Sequence, residues 1–275
     1  MAERWFTTLS RHFFLILVLL FAIGPIALLF INAVKPPEEF QVSPFSFPSH
    51  LTMENITAAW TMGEYGKAYL NSIVIGCAAV AVICVAGGLC AYALAKMEFR
   101  GKGAILAYLF LCVSVPLGMF LVPLFFVWQK LHLMNTMIGL IIIYSAIFLP
   151  LNIFILRTFF IGIPKELSES ARIDGCNEWM ILMKIIVPIA KPAFLTVALL
   201  AGLYTWNEFF FANAFIQAEA LKPVSTKYLT FAGNFSSDWS KISAAGVISI
   251  LPFTIIYMFL QRRFIEGVAE GSLKG

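Results

Sequence analysis

Pro164-Lys165-Glu166-Leu167-Ser168-Glu169-Ser170-Ala171-Arg172-Ile173-Asp174-Gly175 interrupts a chain that is otherwise apolar, and Pro188 and Pro192 follow it. Its meaning depends on what flanks it. The 275 residues are 60% hydrophobic and 12% charged, whereas a soluble domain carries about 25% charged residues. An apolar run of ~20 residues crosses a bilayer core of ~30 Å as a helix. Six such runs can be read: 13–34, 73–95, 104–128, 137–156, 194–215 and 242–260. They are continuously apolar, which favours helices over the alternating strands of a barrel. The expected fold is therefore all-α and integral to the membrane, with six transmembrane helices. The quoted segment lies between the fourth and the fifth.

The first run is longer than a signal-peptide core and is followed by Lys35-Pro36-Pro37 rather than a small-residue cleavage site, so it reads as an uncleaved first helix. Lys and Arg set the orientation. With the N-terminus inside, the outer segments keep only Lys35, Lys67, Lys130, Lys222, Lys227 and Lys241 of the 19 basic residues. Arg4, Arg11, Lys96, Arg100, Lys102, Arg157, Lys165, Arg172, Lys184, Lys191, Arg262, Arg263 and Lys274 fall inside. Both termini and the 164–192 segment are thus expected in the cytoplasm, at a cell (inner or plasma) membrane. The net charge of +4 is a topology signal and gives nucleic-acid binding no support. Cys77, Cys84, Cys90, Cys112 and Cys176 show no CxxC spacing and read as small apolar fillers. His12, His50 and His132 are scattered and suggest no metal site. Gly101-Lys102-Gly103 lacks the remaining glycine and hydroxyl of a phosphate-binding loop, so no ATP is expected to bind this chain by that route.

The interruption has its own local logic. Pro164 suits a first helical position, and Glu166 sits where the helix dipole favours negative charge. A helix over 164–174 would align Glu169, Arg172 and Ile173, with Cys176 continuing the line. Gly175 is placed for a helix end with positive φ, and Asn177 for the N-cap of a second helix over 178–187. Trp179, Leu182, Met183 and Ile186 would form that helix's apolar face. Pro188 and Pro192 should bend or break it before the fifth span.

Glu169-Ser170-Ala171, Asp174-Gly175 and the later prolines resemble the EAA loop of ABC-importer permeases, with Ser170 and Cys176 in place of two common alanines. Asn71-Ser72 at the start of the second span is similar to the family's entry signature, and Trp206-Asn207-Glu208 in the fifth resembles the Trp-Asn-acid element of the carbohydrate branch. The tail from Gln261 to Gly275 resembles the end of the smaller maltose-type permease subunit. The resemblance implies a type I ABC importer permease bundle of the MetI-like kind with a cytoplasmic coupling helix. It implies three kinds of partner, namely a second, different permease subunit, two ATPase subunits that use the ATP, and an external solute-binding protein, and it implies no cofactor or catalysis in this chain. Glu166, Glu169, Ser170, Ala171, Arg172, Asp174, Gly175 and Pro188 would dock an ATPase subunit. The implied domains are a first helix (1–34), an external loop (35–69), a permease core (70–265) and a cytoplasmic tail (266–275).

Intramembrane polar residues are candidates for the substrate pathway. These are Asn152 in the fourth span, and Tyr204, Asn207 and Glu208 in the fifth. Glu208 has two other readings, an interfacial carboxylate or an interhelical hydrogen bond. A secondary transporter driven by an ion gradient would show inverted repeats and paired midplane charges, and a membrane enzyme a catalytic constellation; the sequence offers neither. An ABC permease for a solute other than sugar stays open.

Overall fold

In hydrocarbon the chain must satisfy its own backbone N–H and C=O groups, so continuous apolar runs fold as helices. A computed structural model describes the backbone of residues 2–235 and 238–272 and the side chains of residues 11–235 and 238–259. In chain order the helices are α1 (Ala2–Ala33), α2 (Pro37–Val42), α3 (Glu54–Met62), α4 (Tyr65–Lys96), α5 (Lys102–Ser114), α6 (Leu121–Lys130), α7 (Met137–Ile161) and α8 (Lys165–Ile173). There follow α9 (Glu178–Ile181), α10 (Val187–Ile189), α11 (Lys191–Asn207), α12 (Phe210–Phe215), α13 (Val224–Asn234) and α14 (Trp239–Ser272). Among the described residues there is no strand. Within the expected tail, 266–275, α14 continues as far as Ser272, while residues 273–275 and the side chains from 260 onward, those of Gln261, Arg262 and Arg263 included, lie outside the described residues.

Among the described residues, four helices are long and apolar enough to cross a membrane: α1 from Arg11, α4, α7, and α14 as far as Phe259. The third and fifth expected spans are bent. Lys102–Ser114 and Leu117–Lys130 meet at 97°, and Glu178–Ile189 and Lys191–Asn207 at 78°. Counting each bent pair as one crossing gives six.

The continuous third helix over 104–128 is thus corrected to two pieces. Pro116 is the cause: it drives Val115 into an extended conformation, ψ 129°, and brings no N–H to the helix. The fifth run also departs from expectation, since α11 ends at Asn207 and α12 carries the rest to Phe215. The bend at Ala190 falls between Pro188 and Pro192, where the sequence places it. The second span begins at Tyr65, ahead of its apolar window at 73, because a helix continues past the hydrocarbon wherever its end is packed.

Contacts divide the chain into two units, Met1–Gly66 with Lys227–Pro252, and Lys67–Thr226 with Phe253–Gly275. In the first unit, Lys35 is fully buried and donates to the carbonyls of Ser43 (3.0 Å), Pro44 (3.2 Å) and Ser46. Asn55 on α3 donates to Ala33 O (3.2 Å) and Lys35 O (2.7 Å). These bonds fold 35–55 back on the end of α1 and give its last carbonyls partners. Gly246 of α14 sits so close to α1 that an added Cβ would lie 3.2 Å from Leu29.

In the second unit α7 is central and packs on α5, α11 and α12. Gly87 of α4 lies against Leu149, Ile153 and Leu156 of α7. One apolar cluster joins Leu94, Leu156 and Phe160 to Ala171, Ile181 and Ile186, so the polar interruption is fused to the bundle. A second cluster joins Ile75, Ile143 and Tyr144 to Phe211 and Phe215.

Candidate docking turn and membrane pathway

The interruption folds as helix, tight turn and helix, as its residues predict. Pro164, φ −54°, caps α8 rather than occupying its first turn, and Glu166 lies in that turn. Gly175 takes φ +82°. Cys176 N–H donates to Ala171 O (2.9 Å) and Gly175 N–H to Arg172 O (3.1 Å). This is the pair of bonds of a Schellman ending, which satisfies carbonyls that the helix leaves free. Asn177 then caps α9, its Oδ1 accepting from Met180 N–H at 2.8 Å.

Two side-chain expectations change. Glu169, Arg172 and Ile173 are exposed together, but Cys176 leaves their line and is partly buried, because the positive φ at Gly175 turns the chain inward. In the second helix the buried residues are Ile181, Leu182 and Ile186, while Trp179 (59% exposed) and Met183 (46%) face outward. For Met183 the reason is a wide turn over Leu182–Ile186, where Val187 N–H reaches back five residues to Leu182 O. The extra residue shifts the phase of the apolar face. It also gives the ring of Pro188 room that a regular turn would deny it. Glu166, Glu169 and Asp174 are exposed beside Leu167, Ile173 (87% exposed) and Trp179. The opposite side of α8, through Ser168 and Ala171, is buried.

Charged residues fasten this module. Arg172 donates to Glu178 through Nε (2.7 Å to Oε1) and Nη2 (3.3 Å to Oε2). Tyr92, near the end of α4, donates its hydroxyl to Glu178 Oε2 at 2.6 Å. The bonds from Arg172, then from Tyr92, hold the Glu178 carboxyl below its ordinary value. Lys96 of α4 donates to Ile163 O (2.5 Å), and Arg157 of α7 to Leu94 O (3.3 Å), so each helix caps the other's end.

Among the described residues, the hydrogen bonds of Asn152, Asn207 and Glu208 run to other groups, not to one another. Asn152 is fully buried, and its Nδ2 donates to Phe148 O at 2.7 Å in its own helix. Tyr204 stacks on Phe148, with ring centroids 5.3 Å apart and planes 19° apart. Asn207 is exposed and donates to Leu203 O (2.9 Å). Glu208 ends α11 and starts α12: its Oε1 accepts from Phe211 N–H (2.8 Å) and its Oε2 from Ala212 N–H (3.0 Å). Tyr144 of α7 donates to Oε2 at 2.8 Å, and Ser225 donates to Glu208 O at 2.7 Å. The carboxylate is thus an interhelical tie and a helix cap at once. A cavity of about 380 Å³ opens elsewhere, lined by Ser72, Gly76, Val80, Ala198, Gly202 and Phe253, among others.

Asn71 and Ser72 hold a loop. Asn71 Nδ2 donates to Ala220 O (2.9 Å) and Lys222 O (3.1 Å), and Ser72 Oγ accepts from Val224 N–H (2.9 Å). Asn135, with φ +56°, holds the same loop from the other side. Its Oδ1 accepts from Ala218 N–H at 3.0 Å and from Gln217 N–H. Sequence reasoning missed Tyr92, Tyr144, Asn135 and Glu178 as site residues. Among them only Asn135 carries a local signal, an asparagine in the short loop between Lys130 and Met137, a residue type that tolerates positive φ. Among the described residues no three His, Cys, Asp or Glu side chains gather as a metal site.

Known proteins agree with this geometry. The chain is 33% identical to the diacetylchitobiose uptake system permease protein NgcG of Streptomyces coelicolor, over 99% of this chain and 91% of that one. It is 30% identical to the trehalose transport system permease protein SugB of Mycobacterium tuberculosis, covering 94% and 95%. Among solved structures, a chain of a bacterial ABC transporter involved in the import of the acidic polysaccharide alginate superposes with a TM-score of 0.83 at 25% identity, covering 96% and 98%. A chain of the alginate transporter in complex with an alginate pentasaccharide-bound periplasmic protein shares the fold, TM-score 0.71 at 16% identity, covering 95% and 96%. Residues 57–270 match the family described as binding-protein-dependent transport system inner membrane component, and with its several apolar spans the chain belongs to that family of multi-pass transport permeases.

Proposed function

We propose that this chain forms half of the membrane pathway of an ATP-driven importer for a saccharide. A second, different permease subunit completes the pathway. An external binding protein delivers the solute, and two ATPase subunits hydrolyse the ATP; this chain itself is no enzyme and binds no cofactor. Both termini and the docking turn face the cytoplasm, as the distribution of Lys and Arg favours.

One observation carries the reading. The helix–turn–helix of residues 164–189 buries one side in the bundle and exposes Glu166, Glu169, Ser170, Asp174, Ile173 and Trp179 on the other. A rigid, half-buried knob of this kind transmits the motion of whatever grips it. Exposed Ile173 and Trp179 supply apolar area for a partner, and the acidic residues suit a basic cleft rim. Ala171 serves from within, by packing, and Arg172 from the exposed side, by bonding Glu178. Gly175 makes the return, and Pro188 sets the angle of the following helix. The carbohydrate names of the similar transporters support a saccharide. For the pathway we assign Tyr204 and Asn207 to solute contact, the ring suiting a sugar face and the amide its hydroxyls. Asn152 and Glu208 hold the walls.

The test is reconstitution of the purified permease pair with its ATPase subunits in proteoliposomes. Binding protein loaded with saccharide should stimulate ATP hydrolysis and drive uptake that is insensitive to ionophores. Uptake by the permeases alone, or uptake abolished by an ionophore, sinks the reading.

A further inference from the structure

Few polar bonds tie the docking turn to the rest of the bundle, and one carboxylate takes the bond that comes from a membrane span. Glu178, the first residue of α9, accepts from Arg172 in the last turn of α8 and from Tyr92 in the last turns of α4. Three elements meet at that side chain. Tyr92 is almost fully buried, so its hydroxyl has a fixed direction and a solvent-poor surrounding. Arg172 and Glu178 are 40% and 39% exposed, and as an isolated ion pair they would do little for stability. The buried tyrosine changes this, because it ties the pair to a membrane span.

The backbone alone does not supply such a tie. The Schellman bonds at Gly175 link α8 to its own turn, and Lys96 reaches only Ile163, ahead of α8. We propose that the Tyr92–Glu178–Arg172 chain is a latch that makes α8, α9 and the end of α4 move as one body, so that displacement of the docking helix reaches the second span. This rests on the docking reading above. Tyr92 and Glu178 are positioning residues here, since neither is on the exposed docking face.

The test uses the full complex in proteoliposomes, with Tyr92→Phe and Glu178→Gln in this chain. Tyr92→Phe keeps the ring and its packing and removes one hydroxyl. We expect both variants to retain their ATPase subunits on purification. We expect solute transported per ATP hydrolysed to fall by about tenfold, as for loss of a hydrogen bond to a charged group. A merely structural role would lower the amount of assembled complex and leave that ratio unchanged. An unchanged ratio in Tyr92→Phe overturns the latch, and so does loss of the ATPase subunits in that variant, which would place the hydroxyl in docking itself. If Glu178→Gln fails to assemble, Tyr92→Phe still decides. Failure of the unmodified complex to retain an ATPase subunit overturns the docking reading instead, and is seen before any variant is made.

Discussion

Replacing Gly175 separates two effects that a docking turn combines. Its φ of +82° is a conformation that costs an L-residue about 1–2 kcal/mol. A Cβ built there meets nothing within 4 Å, so the chain itself has room for a side chain. Gly175→Ala and Gly175→Leu should therefore destabilise the isolated permease equally, by about 1 kcal/mol, and Gly175→Asn by less, since asparagine tolerates positive φ. Any further loss in the leucine variant must arise in the partner's seat. Thermal unfolding of the detergent-purified chain measures the first effect, and retention of the ATPase subunits on an affinity resin the second. We expect the asparagine and alanine variants to keep the ATPase and the leucine variant to lose it, with transport failing in parallel. Equal retention by leucine and alanine would refute the idea that a partner closes over this turn. Unfolding of the alanine variant at the wild-type temperature would remove the strain argument.

Glu208→Gln should lower the unfolding midpoint by an amount corresponding to about 1–3 kcal/mol, because the two N–H groups of α12 and the Tyr144 hydroxyl lose a charged acceptor; a midpoint equal to wild type excludes the cap. Tyr144→Phe should cost less, since both N–H bonds remain. Asn135→Gly keeps the positive φ but frees the amides of Gln217 and Ala218, so hydrogen exchange there should accelerate while α7 stays protected. Slow exchange at both amides speaks against the clasp. For Glu178 the folded-state value is lowered, so its stabilisation is present above the ordinary value of 4.5 and is lost as pH falls towards the lowered one. Unfolding midpoints of wild type and Glu178→Gln should differ near neutral pH and converge in acid. A difference that persists in acid assigns the effect to something other than the ionised pair.

Legibility followed the range of the interactions. Six apolar windows, the cap at Asn177 and the turn at Gly175 could be read because each depends on residues within a few positions of one another. The break at Pro116 was also locally encoded, yet an apolar window does not register it, since hydropathy averages over a proline. The wide turn at Leu182–Ile186 moved Met183 out of the expected buried face. A pattern search assumes a fixed period of 3.6 residues and cannot see such a change.

By itself, then, the sequence determined that this chain crosses a membrane, where a polar segment interrupts the apolar pattern, and how that segment turns. These follow from transfer free energy and from backbone rules that act within one helix turn. Only the tertiary structure decided which charges meet. Arg172 pairs with Glu178 rather than with its nearer acidic neighbours, Tyr92 joins them from 86 residues away, and Tyr144 meets Glu208 from 64 residues away. A carboxylate's role depends on the donors that packing places around it, and that packing is a property of the whole bundle.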